Sequence, residues 1–335
     1  MSWKKTGRIF DPDEVKNRWW NVSHAMLTVP ILLGETLRVY YSPRDDKSRS
    51  RTTFAEFDPD TLELTYVHTE PVLDIGPPGA FDDCGAMGSC ILPYRAALYL
   101  FYIGWNVRTT VPWFTTTGLA VSYDGGYSFQ KLPGPVLGRS LYNPFLTGSC
   151  WVLPWGEGWR MWHLSGLGWE EVKGLLEPLY DIRVANSEDL LDWRPSPIVC
   201  IPLQGDAGIS VPSVLKWRGK WRMWYSYRGG KGYRTDPKTA YRIGYAESQD
   251  GDVWVRKDRP SSSLRCERSA KRSGQGPSSS SGQDSGPGPL TGKREAWESV
   301  MQCYPRVYEY GGKLHMLYNG NGFGKTGFGH AVWED

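Results

Sequence analysis

The sequence predicts an all-β fold: a five-bladed β-propeller with four-stranded antiparallel blades. Three observations carry that expectation. A short strand of apolar residues ending in Tyr or His recurs five times, each copy followed by a Gly- or Ser-containing turn. A second feature, a small residue followed by Ser-x-Asp and an aromatic, trails the strand in most copies. No long amphipathic helix breaks the series, which disfavours a (β/α) barrel or a doubly wound sheet.

The elements follow in order. Asp11-Pro12-Asp13-Glu14 carries an N-cap, a proline and acids, and predicts a short helix before the first blade. The segment ahead of it is expected to supply the outer strand of the last blade and so close the ring. Inner strands are predicted at HAMLTVPILL (24–33), GAMGSCILPY (85–94), LTGSCWVLPW (146–155), GISVPSVLKW (208–217) and MQCYPRVYEY (301–310). The recurring second strand places Tyr41, Tyr102, His163, Tyr225 and Tyr318 at equivalent points, at intervals of 61, 61, 62 and 93 residues. Third strands end in GLAVSYDGGYSF (118–129), IRVANSEDLLDW (182–193) and IGYAESQDGDVW (243–254), whose Ser-x-Asp turns read as hairpins. Within EEVKGLLEPLY (170–180), Glu170 and Glu171 open a stretch that reads as a short helix. GNGFGKTGFG (320–329) reads as a tight hairpin, because no strand-to-helix context supports a phosphate loop.

The long last interval has a visible source. Residues 260–292 form a Ser/Gly/Pro/Gln tract with few apolar residues, expected to be a disordered insertion in a single domain spanning 1–335. The tract and its flanks also explain the net charge of +3. Residues 256–294 hold nine Lys/Arg and three Asp/Glu, so the folded body is acidic and offers no basic face for nucleic acid. No apolar run approaches a membrane span, and the first twenty residues lack the apolar core of a secretory signal. A cytoplasmic protein with six reduced, scattered Cys is expected. The five His are isolated, so neither a metal nor a cofactor is expected.

With five units, SYDGGYSF-type turns and WRMWYS-type second strands, the chain resembles the five-bladed β-propeller glycosidase superfamily, over about residues 20–258 and 297–335. That superfamily includes arabinanase/xylosidase-like, invertase-like and mannoside-phosphorylase-like families. The resemblance implies a carbohydrate substrate at the entrance of the central channel. It also implies two carboxylates from separate blades, one as acid and the other as base or nucleophile.

Asp82 and Asp83 immediately precede the second inner strand, the best carboxylate position in the chain. Asp83 is expected as one catalytic carboxylate, with Asp45 or Glu298 as the other. His24 opens the first inner strand, and Arg44 follows the first unit's second strand, where it would reach a hydroxyl or an anionic oxygen. Trp105, Asn106, Trp169, Arg228, Asn319 and Asn321 lie after the second strands, where Trp faces stack on sugar rings and amides satisfy hydroxyls. Tyr304 and Asp82 complete the expected substrate contacts. No Glu opens the third or fourth inner strand, where a hydrolase would place its acid. A glycoside phosphorylase, which needs one acid, and a non-catalytic sugar-binding propeller therefore stand beside the glycoside hydrolase reading.

Overall fold

The computed structural model describes residues 2–16, 18–258 and 287–334, in which twenty strands form five antiparallel sets of four. Strand β1 (Ser2–Phe10) leads into a helical turn, α1 (Pro12–Val15), capped by the Asp11 side chain. Blade 1 holds β2 (Ser23–Leu33), β3 (Thr36–Arg44), β4 (Thr53–Phe57) and β5 (Leu64–Val67). Blade 2 holds β6 (Gly85–Tyr94), β7 (Ala97–Val107), β8 (Trp113–Ser122) and β9 (Gln130–Lys131). Blade 3 holds β10 (Thr147–Trp155), β11 (Gly158–Val172), β12 (Leu175–Ser187) and β13 (Arg194–Ile201). Blade 4 holds β14 (Gly208–Trp217), β15 (Lys220–Arg228), β16 (Arg242–Ser248) and β17 (Val255–Arg256), and a parallel pair, Tyr180 with Gly208, joins it to blade 3. Blade 5 holds β18 (Cys303–Tyr310), β19 (Lys313–Asn319) and β20 (Phe328–Glu334), with β1 paired antiparallel on β20 as its outer strand.

The inner strands β2, β6, β10, β14 and β18 each touch the next, and β18 returns to β2, so the ring is closed. Five apolar cores lie between successive blades. One joins Phe10, Leu317 and Phe328 of the last blade and its lead-in to Leu37, Val39 and Tyr41 of the first. A sheet has two faces to cover, and in a ring each face is covered by its neighbour.

The repeated residues have a physical cause. Tyr102, Tyr225 and Tyr318 stand opposite Gly118, Gly244 and Gly329 in register. A Cβ at Gly118 or Gly244 would meet the facing tyrosine ring at 2.4 Å, so in blades 2 and 4 the third-strand glycine makes room for that ring. In the Ser-x-Asp boxes, Asp124, Asp189 and Asp250 each accept two backbone N–H groups of the following turn, which closes the hairpin. His163, in the tyrosine position of blade 3, is fully buried.

One sequence expectation fails. Residues 170–180 are not helical: β11 and β12 continue through them to a two-residue turn at Lys173-Gly174, both at positive φ. Lys-Gly in that conformation matches strand twist, and cross-strand pairing overrides the helical pattern. Of the expected insertion at 260–292, residues 260–286 lie outside the described residues. Its last residues are packed: Leu290 is buried in the core between blades 4 and 5, and the Gly288 carbonyl accepts the indole N–H groups of Trp3 and Trp224. No helix of the described residues is long and apolar enough to cross a membrane.

Candidate active site

The site begins with a backbone irregularity shared by all five inner strands. Each departs from regular register near its start, between Ser23 and Val29, Gly88 and Cys90, Thr147 and Cys150, Ser210 and Ser213, and Cys303 and Arg306. Bulges re-aim side chains and gather next to active sites. At these points His24, Leu27, Val211 and Tyr304 take positive φ angles of 67°, 54°, 53° and 58°. Left-handed backbone is costly for residues with a Cβ, most of all β-branched Val211, so surrounding packing must hold it. Interblade bonds supply part of that hold: the Asn319 side chain accepts from Leu27 N, Ser149 Oγ from Val211 N and Ser226 Oγ from Tyr304 N.

Three cationic side chains, Arg44, Arg234 and Lys325, gather near the starts of the inner strands β2 and β18. His24 is half-buried, with Nδ1 2.8 Å from Ser23 Oγ. Burial pushes its pKa down to about 4, and the neighbouring Arg44 and Lys325 charges add to the effect, so the ring is neutral at pH 7. Arg44 is also half-buried, and its Nε is enclosed without a hydrogen-bond partner. Burial and the Arg234 charge pull its pKa down, while Tyr304 acts in the other direction. Among the described residues no carboxylate pairs with Arg44. Arg234 is paired, donating from Nε and Nη2 to Glu177 at 3.1 and 3.0 Å, and Tyr233 OH donates to the same carboxylate at 2.8 Å.

Beside this cluster stands the Asp83 segment. Arg44 pairs with Ser50, and Ser50 pairs in parallel with Gly85, two residues after Asp83. Gly79 N donates to one Asp83 oxygen at 2.9 Å, and the other oxygen, Oδ1, is enclosed without a partner. The Trp105 indole lies across Gly85, where a Cβ would collide with it at 1.7 Å. The structure brings His24, Arg44 and Tyr304 together, whereas Asp83 and Trp105 lie on the neighbouring blade, joined to Arg44 through the backbone bridges of Ser50.

The remaining expected residues are committed elsewhere. Asp45 is buried and accepts from the Arg49 and Arg51 side chains at 2.8 and 3.0 Å. Burial opposes its ionisation, but the Arg49 amide and these two guanidinium groups hold its pKa below the usual carboxylate value. Asp82 takes Lys131 Nζ at 2.5 Å and Tyr102 OH at 3.1 Å. Glu298 is fully buried on Lys5 and Gln302. Asn106 bonds the Ala80 carbonyl, Asn319 pins β2 to β19, and Asn321 caps the Val300 and Met301 amides. Arg228 is 1% exposed, bonded to Tyr180 OH and the Pro178 carbonyl and stacked 4.0 Å over Tyr233. Trp169 packs edge-on against Trp113 on the long hairpin of blade 3.

Sequence reasoning missed Glu177, Tyr233, Arg234, Phe323 and Lys325. Phe323 and Lys325 lie in the glycine-rich segment read as a tight hairpin, which instead holds a short helical turn at Asn321–Gly324 between β19 and β20, and Arg234 lies in a polar loop with no repeat signal. Deeper in the channel, Arg306 is fully buried, donating to the Pro212 carbonyl at 2.7 Å and to Ser89 Oγ at 3.3 Å. Among the described residues no three His, Cys, Asp or Glu side chains group to hold a metal ion.

No protein-family profile matches the sequence. Two proteins of Mycobacterium tuberculosis, the uncharacterized Rv1502 and MT1551 of two strains, are each 34% identical over 340 residues, with full coverage of both sequences. Among solved structures, a glycoside hydrolase superposes with a TM-score of 0.70 at 14% identity, covering 99% of this protein and 91% of that one. A thermostable family-43 glycoside hydrolase gives a TM-score of 0.61 at 14% identity, covering 95% and 93%. A protein of the GH130 family of mannoside phosphorylases and hydrolases gives 0.62 at 15% identity, covering 100% and 90%. The protein shares the β-propeller fold of these glycoside-processing proteins.

Proposed function

We propose that this protein, which belongs to the same family as the uncharacterized protein Rv1502 of Mycobacterium tuberculosis, is a carbohydrate-active propeller that cleaves a glycoside with phosphate. The observation that carries this reading is the Arg44 guanidinium, enclosed at the mouth with an unpartnered Nε and no carboxylate partner among the described residues. Hydrolysis by a carboxylate pair needs a second free acid beside Asp83. Asp45 and Glu298, the two candidates, are both held in ion pairs. Phosphorolysis needs one acid and an anion site, and we assign Asp83 as that acid and Arg44, with His24 and Lys325, as that site.

In this mechanism a phosphate oxygen, held by Arg44 with His24 and Lys325 nearby, attacks the anomeric carbon as the glycosidic C–O bond breaks. The Asp83 carboxyl relays a proton from the phosphate to the departing oxygen as that bond breaks. The products are a glycosyl phosphate and an alcohol. Trp105 supplies a stacking face at the rim. The likeness in fold to the GH130 family, which holds both mannoside phosphorylases and glycoside hydrolases, is compatible with this reading. We place the reaction in the cytoplasm, where free thiols such as Cys90, Cys150, Cys200 and Cys303 stay reduced.

The test is product analysis over a glycan panel with and without inorganic phosphate. Glycosyl phosphate is expected only when phosphate is present, and Asp83→Asn abolishes it. Cleavage at full rate in phosphate-free buffer overturns the proposal. A second reading, a sugar-binding propeller without catalysis, is favoured by the Gly79 amide bond that fixes Asp83 within its own loop. That reading predicts saturable glycan binding that survives Asp83→Asn, with no bond cleaved.

A further inference from the structure

Below the cationic rim the mouth has an apolar floor. Met26 and Leu27 of blade 1, Ile103 of blade 2 and Val211 of blade 4 form one buried cluster, with Met87 of blade 2 and Tyr304 and Phe323 of blade 5 packed against it. Residues of four blades meet only at the axis, so this cluster closes the channel. Met87, Tyr304 and Phe323 are each only partly buried. The floor therefore offers a thioether and two aromatic rings at the depth where the bulged inner strands begin.

Resting on the phosphate-binding reading of the rim, we propose that the sugar bound here is deoxygenated or O-methylated on the face that meets this floor. A fully hydroxylated ring lowered onto Met87 and Phe323 loses water from its hydroxyls and gains few partners, and a buried unpaired hydroxyl is costly. A methyl group in the same place gains apolar burial and a polarisable sulfur contact. The charged groups stand on the rim, where Arg44 and Lys325 meet the phosphate. The ligand class is thus a glycosyl phosphate with one anionic end and one apolar face.

The experiment is calorimetric titration of the full-length protein with matched glycosyl 1-phosphates. The pairs are glucose with 6-deoxyglucose, mannose with 6-deoxymannose and mannose with 3-O-methylmannose, and inorganic phosphate is titrated alone. In at least one pair the deoxy or methylated member binds roughly tenfold tighter, the order a single methyl group contributes in an apolar pocket. Met87→Gln erases that preference, whereas Arg44→Gln weakens every glycosyl phosphate and leaves the ratio within the pair unchanged. Binding with no preference, or with preference for the hydroxylated member in every pair, overturns this inference and leaves the rim reading standing. No binding of any member, inorganic phosphate included, overturns both.

Discussion

Lys5 Nζ lies 2.8 Å from Glu298 Oε1, joining the first strand of the protein to the turn that precedes the last inner strand. Lys5 belongs to β1, the outer strand of blade 5, so the pair helps fasten the ring where its two ends meet. The other Glu298 oxygen accepts Gln302 Nε2 at 2.6 Å. Glu298→Ala leaves the Lys5 charge without its partner in a place only 12% exposed. The expected loss in unfolding free energy is about 3 kcal/mol, read by urea denaturation. Unchanged stability together with lost turnover would return Glu298 to a catalytic role.

Asp45 and Asp83 are separated by kinetics. Asp83→Asn is expected to lower kcat roughly 100-fold or more with little change in the KM for phosphate, since it removes the proton donor. Asp45→Asn frees Arg49, leaves Arg51 paired with Asp74 alone, and loosens the loop that runs from Arg44 to Ser50. Its main effect is a raised KM for phosphate, because Arg44 loses its setting. The opposite split, with Asp45→Asn acting on kcat alone, would make Asp45 the acid.

Acid stability follows the buried histidines. Burial lowers the His163 pKa from 6.5 to about 4, and the Arg183 charge adds to this while a bond to the Leu164 carbonyl opposes it. Burial likewise takes His24 to about 4. Both rings are depressed in the fold, so the unfolded state takes up more protons as pH falls. Their stabilising effect is complete above pH 6.5 and is lost between about 6.5 and 4. His163, fully buried, accounts for about 3 kcal/mol of that loss. The depressed carboxylates Asp45 and Asp124 act below this window, as pH falls past 3.8. Urea midpoints at pH 7.5, 5.5 and 4.5 are expected to fall steadily in the wild type and less steeply in His163→Gln. A flat profile would show that His163 is not held neutral.

The repeats were legible because their causes are local. A tyrosine and the glycine facing it, as at Tyr102 and Gly118, leave a two-residue signature in blades 2, 4 and 5. The Ser-x-Asp turn is bonded within its own few residues, and even the return of β1 to the last blade followed from counting strands. The site was harder to read. His24, Arg44 and Tyr304 carried position signals from the inner strands and their neighbours, and they do converge. Asp45 and Asn319 carried equally good signals, yet their partners, Arg51 and the Leu27 amide, depend on tertiary placement. Arg234 and Lys325 sit in loops outside the repeat, so no periodicity could mark them. The apolar floor was hidden for a related reason: Met26, Met87 and Val211 read as ordinary strand residues until the bulges turn them to the axis.

Arg306 gives the last test, of the channel rather than the mouth. It rises from blade 5, donates to Pro212 of blade 4 and Ser89 of blade 2, and lies 5.4 Å over the Trp151 ring of blade 3. Burial lowers its pKa to about 10, with the Cys90 and Cys150 thiols acting against that shift, so it stays charged at neutral pH. One guanidinium therefore ties four blades across the axis. Arg306→Ala removes these bonds and leaves a cavity at the centre of the ring, for an expected loss of about 3 kcal/mol. Arg306→Met refills much of the volume and avoids the cost of burying a charge, so it is expected to be clearly less harmful than alanine. Denaturant midpoints of the two variants measure the difference. Equal loss in both would assign Arg306's stabilising effect to its hydrogen bonds alone, and no loss in either would show that the blades hold one another without it.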